Sequence, residues 1–308
     1  MNSRNFSAKI LLFGEYGVLK KSRALSIPYH RFSGRLEIGS LNDDNIKKSN
    51  SEIKDLFIYL IKSNMKDHIN ITQFDHDLNK GLFFDSSIPV GYGVGSSGAL
   101  VAAVYNKYFL DKIDISKNIN PETFVKLRET FSEIESYFHG QSSGLDPLNS
   151  YVGLPLVINS ENEIMITKLP SSKPESKCGF FIIDSGKPSD TGDFIKIFKN
   201  LFNENGFEDS FQKNFISPTN NCVKSLINYE FNSLSKNFKT ISKFTLDRLS
   251  PMIPKNFNKI WKVGLESENY FLKLCGSGGG GYIIGFSVNL QKAKEQLSTF
   301  NFQEILSY

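Results

Sequence analysis

Between Pro89 and Leu100 the chain reads PVGYGVGSSGAL, and no other segment restricts its fold as much. The residues before it, GLFF, read as a strand, and the apolar run from Ala99 to Val104 predicts a helix starting near Ser97. Gly91, Gly93 and Gly95 alternate ahead of Ser96, Ser97 and Gly98, so backbone N–H groups gather at the helix N-terminus with no side chains in the way. That arrangement is an anion site. The loop from Pro89 to Gly98 can hold a polyphosphate, and a serine hydroxyl at the helix start can reach a metal ion bridging the phosphates. The bland alternative is a flexible loop with a serine N-cap.

Other phosphate loops fit poorly. Gly93, Gly95 and Gly98 spell G-x-G-x-x-G, but Pro89 and the serine pair interrupt the required strand-to-glycine junction, and Asp111 and Asp114 come too early for a ribose ligand. A Walker loop is absent, since Gly186-Lys187 runs into Pro188. A second cluster, KLCGSGGGGYIIGF, sets five glycines and Ser277 within six positions between two apolar strands. A simple hairpin needs only one or two glycines, so this loop, with Gly276, Ser277, Gly278 and Gly279 at its head, suggests close approach to substrate or phosphate. A merely flexible hairpin is the alternative.

At 308 residues the chain exceeds what one compact domain needs, so two domains sharing one site are expected. The polar run PSSKPESK, Pro170 to Lys177, divides them into 1–170 and 171–308. A 40% hydrophobic and 22% charged composition excludes disorder, collagen and coiled coil. The net charge is +4 with no block of five or six like charges, which argues against nucleic acid as partner and suits a small anionic substrate. No run of 18 apolar residues could span a membrane, and Lys9 and Glu15 interrupt any signal peptide. Three scattered cysteines point to a reduced, cytoplasmic protein. With only four histidines, the chemistry must come from carboxylates, lysines, hydroxyls and backbone.

Along the chain, AKILLF reads as a buried strand, followed by a turn and a second strand. Leu56, Phe57, Leu60 and Ile61 mark a surface helix. The best-bounded helix runs from Pro121, after an Asn120 N-cap, to a Gly140 stop. A hairpin spans YVGLPLVINSENEIMITKL. CGFFIIDSG opens the second half, and strands around Phe271–Cys275 and Tyr282–Phe286 close it.

Within the segment ESYFHGQSSGLDPLNSY, Glu135 lies four residues after Phe131, on the inward face near the helix C-terminus, where a bound cation would relieve its charge. The alternative is a carboxylate at the border of that face. Asp146, between Leu145 and Pro147, reads on its own as an Asx-turn residue. Asp184-Ser185-Gly186 imitates an aspartic-protease signature, but only one copy is present. Lys9, flanked by apolar residues on the first strand, implies an anionic partner.

Together, AKILLFGEYGVL, PVGYGVGSSGAL and KLCGSGGGGYIIGF resemble, in order, the three motifs of the GHMP kinases, and HGQSSGLD with Glu135 resembles the mevalonate kinase branch, as in shorter bacterial forms. The resemblance implies an α+β fold, with an N-terminal half like ribosomal protein S5 domain 2, a ferredoxin-like C-terminal half and the site between them. It implies ATP and Mg2+ as cofactors. Asp146 matches the catalytic aspartate, Lys9 the lysine paired with it, and Ser97 and Glu135 the magnesium ligands. On the acceptor side stand Glu15, Tyr16, His139 and Ser143, with Lys187 a candidate for the substrate's carboxylate.

The sequence departs from the branch at Tyr16, where His is usual, at Ser142, where Pro is usual, and at Gly98 and Ser277, where Ala is usual. The implied activity is phosphorylation of mevalonate at its primary hydroxyl in isoprenoid biosynthesis. Phosphomevalonate kinase, mevalonate-diphosphate decarboxylase, sugar kinase and a non-catalytic ligand sensor are the alternatives. The partner expected is a small molecule, with a homodimer left open.

Overall fold

The computed structural model describes residues 4–115, 120–159, 163–171, 177–189 and 191–308. Its strands and helices follow in the order β1 (Phe6–Phe13), β2 (Ala24–Ile38), α1 (Asp44–Lys62), α2 (Ile71–Asn79), β3 (Leu82–Ser86), α3 (Ser96–Tyr108), α4 (Pro121–His139), α5 (Leu145–Val152), β4 (Leu156–Ile158), β5 (Ile164–Ile166) and β6 (Gly179–Asp184). They continue with α6 (Thr191–Leu201), α7 (Phe207–Phe211), α8 (Ser217–Ile227), α9 (Phe231–Arg248), α10 (Asn258–Ser267), β7 (Phe271–Leu274), β8 (Tyr282–Ser287), α11 (Leu290–Gln296) and β9 (Phe302–Ser307). Two compact units result. The first holds residues 1–9, 28–89 and 95–154; the second holds 10–27, 90–94 and 155–308. This grouping by contact differs from the division by chain order at residue 170, because β1, β2 and the first glycine loop each contribute to both units. Most of the PSSKPESK linker, residues 172–176, lies outside the described residues.

In the first unit, the far half of β2 pairs antiparallel with β3, from Gly34↔Ser86 to Ile38↔Leu82. Helix α3 is buried on nearly every side, and its small residues Gly98, Ala99, Ala102 and Ala103 admit neighbouring backbone closely. Helix α4 ends where its sequence says. The Asn120 carboxamide oxygen accepts from the Thr123 amide at 2.8 Å, and Gly140 closes the helix at φ 71°. A buried carboxylate ties α2 to α3: Asp77 accepts from Tyr108 Oη and Lys107 Nζ, both at 2.9 Å, and from Gln73 Nε2 at 2.7 Å. Burial pushes the Asp77 carboxyl upward, and the bonds from Lys107 and Tyr108 outweigh it, so the group titrates below its ordinary value. Its stabilisation is therefore complete above the ordinary carboxylate pKa and is lost as pH falls through the depressed one. Asp77→Ala, which strands the Tyr108 hydroxyl, is expected to cost about 2–4 kcal/mol in urea unfolding at pH 7.

In the second unit, the near half of β2 pairs with β4, and β4 with β5, as the expected hairpin. Pro28 falls between the stretches of β2 that pair with β4 and with β3. A second sheet runs β7-β8-β6-β9. Strand β6 is apolar on both faces because both are covered; Phe180, Phe181, Ile182 and Ile183 have no exposed surface. The edge strand β9 was not apparent from its sequence. An aromatic cluster of Phe198, Phe202, Phe207, Phe211, Phe215 and Phe244 forms the core under α6 to α9.

Candidate active site

In the first unit the lysine finds its anion. Lys9, 4% exposed on β1, places Nζ 3.0 Å from Asp146 Oδ1. Asp146 stands in the first turn of α5, behind Gly144 in the left-handed conformation and Ser143, whose hydroxyl accepts from the Leu145 amide at 3.4 Å. Two loop glycines make room for this pair. A Cβ on Gly95, which also has φ +77°, would lie 2.9 Å from Lys9 Cγ, and one on Gly98 would lie 2.8 Å from the Asp146 carbonyl carbon and the Pro147 nitrogen. The glycines read as clearance for phosphates thus also clear the ion pair. Gly98→Ala is expected to push Asp146 away from Lys9: kcat should fall at least fivefold, roughly the effect of 1 kcal/mol, despite the better helix propensity of alanine. Unchanged kcat would mean that α5 yields without moving the carboxylate.

The N-terminus of α3 carries no side-chain cap: Gly95 is the cap residue, and the first helical amides are those of Ser96, Ser97 and Gly98. Serine as N-cap is therefore not what the loop uses. Ser97 Oγ donates to Glu135 Oε1 at 3.4 Å and lies 3.2 Å from His139 Nε2. Glu135, 3% exposed in the last turn of α4, points inward as its spacing from Phe131 predicts. Its other oxygen accepts from Ser142 Oγ, which in turn accepts from the Gly144 amide at 3.0 Å. Burial first, then the charge of Asp146, pushes the Glu135 carboxyl up to about 8, against smaller opposing effects from Ser142, Lys9 and Ser97.

A buried carboxylate repelled by a second one, with a serine hydroxyl on its open oxygen, is a set of hard oxygen donors suited to Mg2+. Among the described residues there is no group of three or more His, Cys, Asp or Glu that would make an all-protein cage.

The second unit gathers the remaining candidates. Glu15, 6% exposed, forms an ion pair with the buried Lys273, whose Nζ also donates to the Leu274 carbonyl at 2.9 Å. The Tyr16 hydroxyl donates to the Ser277 carbonyl at 2.5 Å. The second glycine loop is held by its own backbone: Gly279 N donates to Met252 O and Gly281 N to Lys187 O, both at 2.6 Å, while Ser189 Oγ donates to Gly278 O. Gly276 and Ser277 form a hydrogen-bonded turn after β7, and among the described residues no backbone bond from the Gly276, Ser277 or Gly280 amides is seen. Gly91 and Gly93 lie here as well; the Gly91 carbonyl accepts from Ser189 N at 2.8 Å and the Gly93 carbonyl from Cys275 Sγ at 3.8 Å. Lys187 is exposed. Asp184, the protease look-alike, is an Asx-turn residue accepting from the Gly186 amide at 2.7 Å.

Sequence reasoning passed over two of these residues. Lys273 carries the same signal as Lys9, a lysine between apolar strand residues, and could have been found by it. Ser142 was noted as a departure, but its bond to Glu135 depends on the turn after α4, which spacing does not reveal.

Residues 57–153 match the GHMP kinases N terminal domain. Among solved structures, the chain is similar to L. major mevalonate kinase in complex with R-mevalonate (TM-score 0.64, 14% identity, 97% of this chain and 92% of that one). It is similar to Streptococcus pneumoniae phosphomevalonate kinase in complex with phosphomevalonate and AMPPNP (0.61, 14%, 100% and 99%). Lactococcus lactis galactokinase complexed with galactose is a third (0.62, 11%, 99% and 93%). No curated protein matches the sequence. The chain thus carries a segment matching the N-terminal domain of the GHMP kinases and has the two-domain α+β fold of the kinases it resembles.

Proposed function

We propose that the chain transfers the γ-phosphoryl group of ATP to a primary alcohol, with mevalonate as the acceptor. The observation that carries this reading is the 3.0 Å ion pair between Lys9 and Asp146, set directly behind an uncapped helix N-terminus. Phosphoryl transfer asks the protein for positioning and charge neutralisation more than for covalent chemistry. The loop from Pro89 to Gly98 would hold the phosphates, with Gly91, Gly93, Gly95 and Ser96 lining it. Ser97 and Glu135 would hold Mg2+, which when bound neutralises charge on the phosphates. Asp146 accepts the proton of the attacking hydroxyl, and Lys9 fixes the direction of its carboxylate. By the motif resemblance, His139 and Ser143, and the glycine loop of Gly276, Ser277, Gly278 and Gly279, would contribute to binding the acceptor.

Charge favours mevalonate over its phosphorylated product. Of the lysines in the motif segments, Lys9 and Lys273 are buried in ion pairs of their own, and Lys187 is the candidate cation for the acceptor. One lysine meets one carboxylate, whereas a phosphate recruits an arginine or several donors. Rates of ADP release across mevalonate, phosphomevalonate, homoserine and galactose test this choice. A higher kcat/KM for phosphomevalonate than for mevalonate would overturn the acceptor and leave the kinase in place. CO2 release would indicate a decarboxylase, and tight binding without ADP release a sensor.

Because the Glu135 carboxyl titrates near 8 rather than at 4.5, the folded chain without cation binds a proton that the unfolded chain has lost across that window, so its stability falls as pH rises between them. Glu135→Gln is expected to flatten that fall and to raise the Mg2+ concentration for half-maximal rate by about tenfold or more, as a charged ligand becomes neutral. An unchanged magnesium dependence would return Glu135 to a purely structural carboxylate.

A further inference from the structure

We propose that Tyr16 is a positioning residue: it fastens the glycine loop at Ser277 and gives the acceptor no hydrogen bond of its own. The inference deepens the kinase reading, since it concerns how the loop offered to the acceptor is held. Tyr16 is 8% exposed and has φ +57°, a left-handed backbone that a bulky residue adopts only where its surroundings hold it. Those surroundings are visible. Its ring lies 4.4 Å, centroid to centroid, from Phe198, which packs edge-on against Phe211 in the aromatic cluster. Its hydroxyl reaches the Ser277 carbonyl at 2.5 Å. Burial, and then the neighbouring Glu15 charge, pushes the phenol well above its ordinary value, so it remains a donor. Glu15 pairs with Lys273 on the strand leading into the same loop, so two successive residues of the first motif tie down the third.

The loop needs such ties because five glycines in six positions lose more backbone entropy on ordering than any other composition. Ser189 holds the Gly278 carbonyl, Met252 the Gly279 amide and Lys187 the Gly281 amide. Tyr16 is the side chain that holds the Ser277 carbonyl, within the turn that carries the Gly276 and Ser277 amides. Fixing that peptide sets the direction of those amides before any ligand arrives, which is preorganisation. A histidine at position 16, as in the resembled branch, is too short to make this bond, so the device belongs to this chain.

Tyr16→Phe keeps the ring and removes only the hydroxyl. Hydrogen exchange of the Gly279 and Gly281 amides is expected to quicken about fivefold to tenfold, the loss of one buried hydrogen bond, with β8 and α9 unchanged. The KM for the acceptor should rise by a similar factor, with kcat and the KM for ATP within about twofold, a split that general destabilisation would not produce. Unchanged loop exchange overturns the proposal, and so does faster exchange with the acceptor KM unaltered. Exchange needs no substrate, so it decides the matter even if no alcohol tested is phosphorylated, a result that would count against the kinase reading instead. Should Tyr16→Phe fail to fold, Tyr16→His is read the same way.

Discussion

Asp146→Asn is expected to lower kcat by about 10²–10⁴-fold, the usual contribution of a positioned general base, while the affinity for ATP stays within about twofold. The amide keeps the volume and the Lys9 contact but can no longer take the hydroxyl proton. Single-turnover kinetics at saturating acceptor, beside ATP titration by fluorescence or calorimetry, separates the two quantities. A kcat within tenfold of the parent enzyme would make Asp146 an orienting group at most.

Lys9→Met carries the second large effect. The lysine is buried, its partner Asp146 is 36% exposed at the side chain, and Glu135 is close enough for its carboxyl to be raised by the Asp146 charge. Removing the ammonium takes away the charge that fixes the Asp146 carboxylate and frees it to turn to water. The expected fall in kcat is about a hundredfold, within the range for misplacement of a catalytic group. The loss in stability should be much smaller than for a fully buried pair, because solvent reaches Asp146 and screens the interaction. Since the two residues act as a unit, the double variant Lys9→Met/Asp146→Asn should be no slower than Asp146→Asn alone to within about threefold. Multiplicative losses would show that Lys9 works on something other than Asp146.

How far the sequence could lead depended on the range of the interaction. Local signals carried well: Asn120, Pro121 and Gly140 bounded α4 almost to the residue, and the spacing from Phe131 turned Glu135 inward. Lys9 announced a partner by its cost of burial, yet nothing in its neighbourhood could say that the partner was Asp146, 137 positions away, a residue that read as a turn until the family resemblance marked it. The edge strand β9, FQEILS, alternates too weakly to distinguish from a loop and is fixed by pairing with β6. Tyr16 and Glu15 were assigned to the acceptor from their place in the first motif. Their side-chain partners, Ser277 and Lys273, lie more than 250 residues on, and only the folded chain brings them together.

The central claim is γ-phosphoryl transfer to a primary alcohol, and phosphorus NMR tests it most directly. The chain is incubated with ATP, Mg2+ and mevalonate, and the spectrum is followed for the fate of the γ-phosphorus. Its signal is expected to be replaced by that of a phosphomonoester coupled to the methylene protons of the primary carbon, in step with the appearance of ADP, and Asp146→Asn to suppress both. ADP accompanied only by inorganic phosphate, or no loss of the γ-signal with mevalonate, phosphomevalonate, homoserine or galactose, would contradict it.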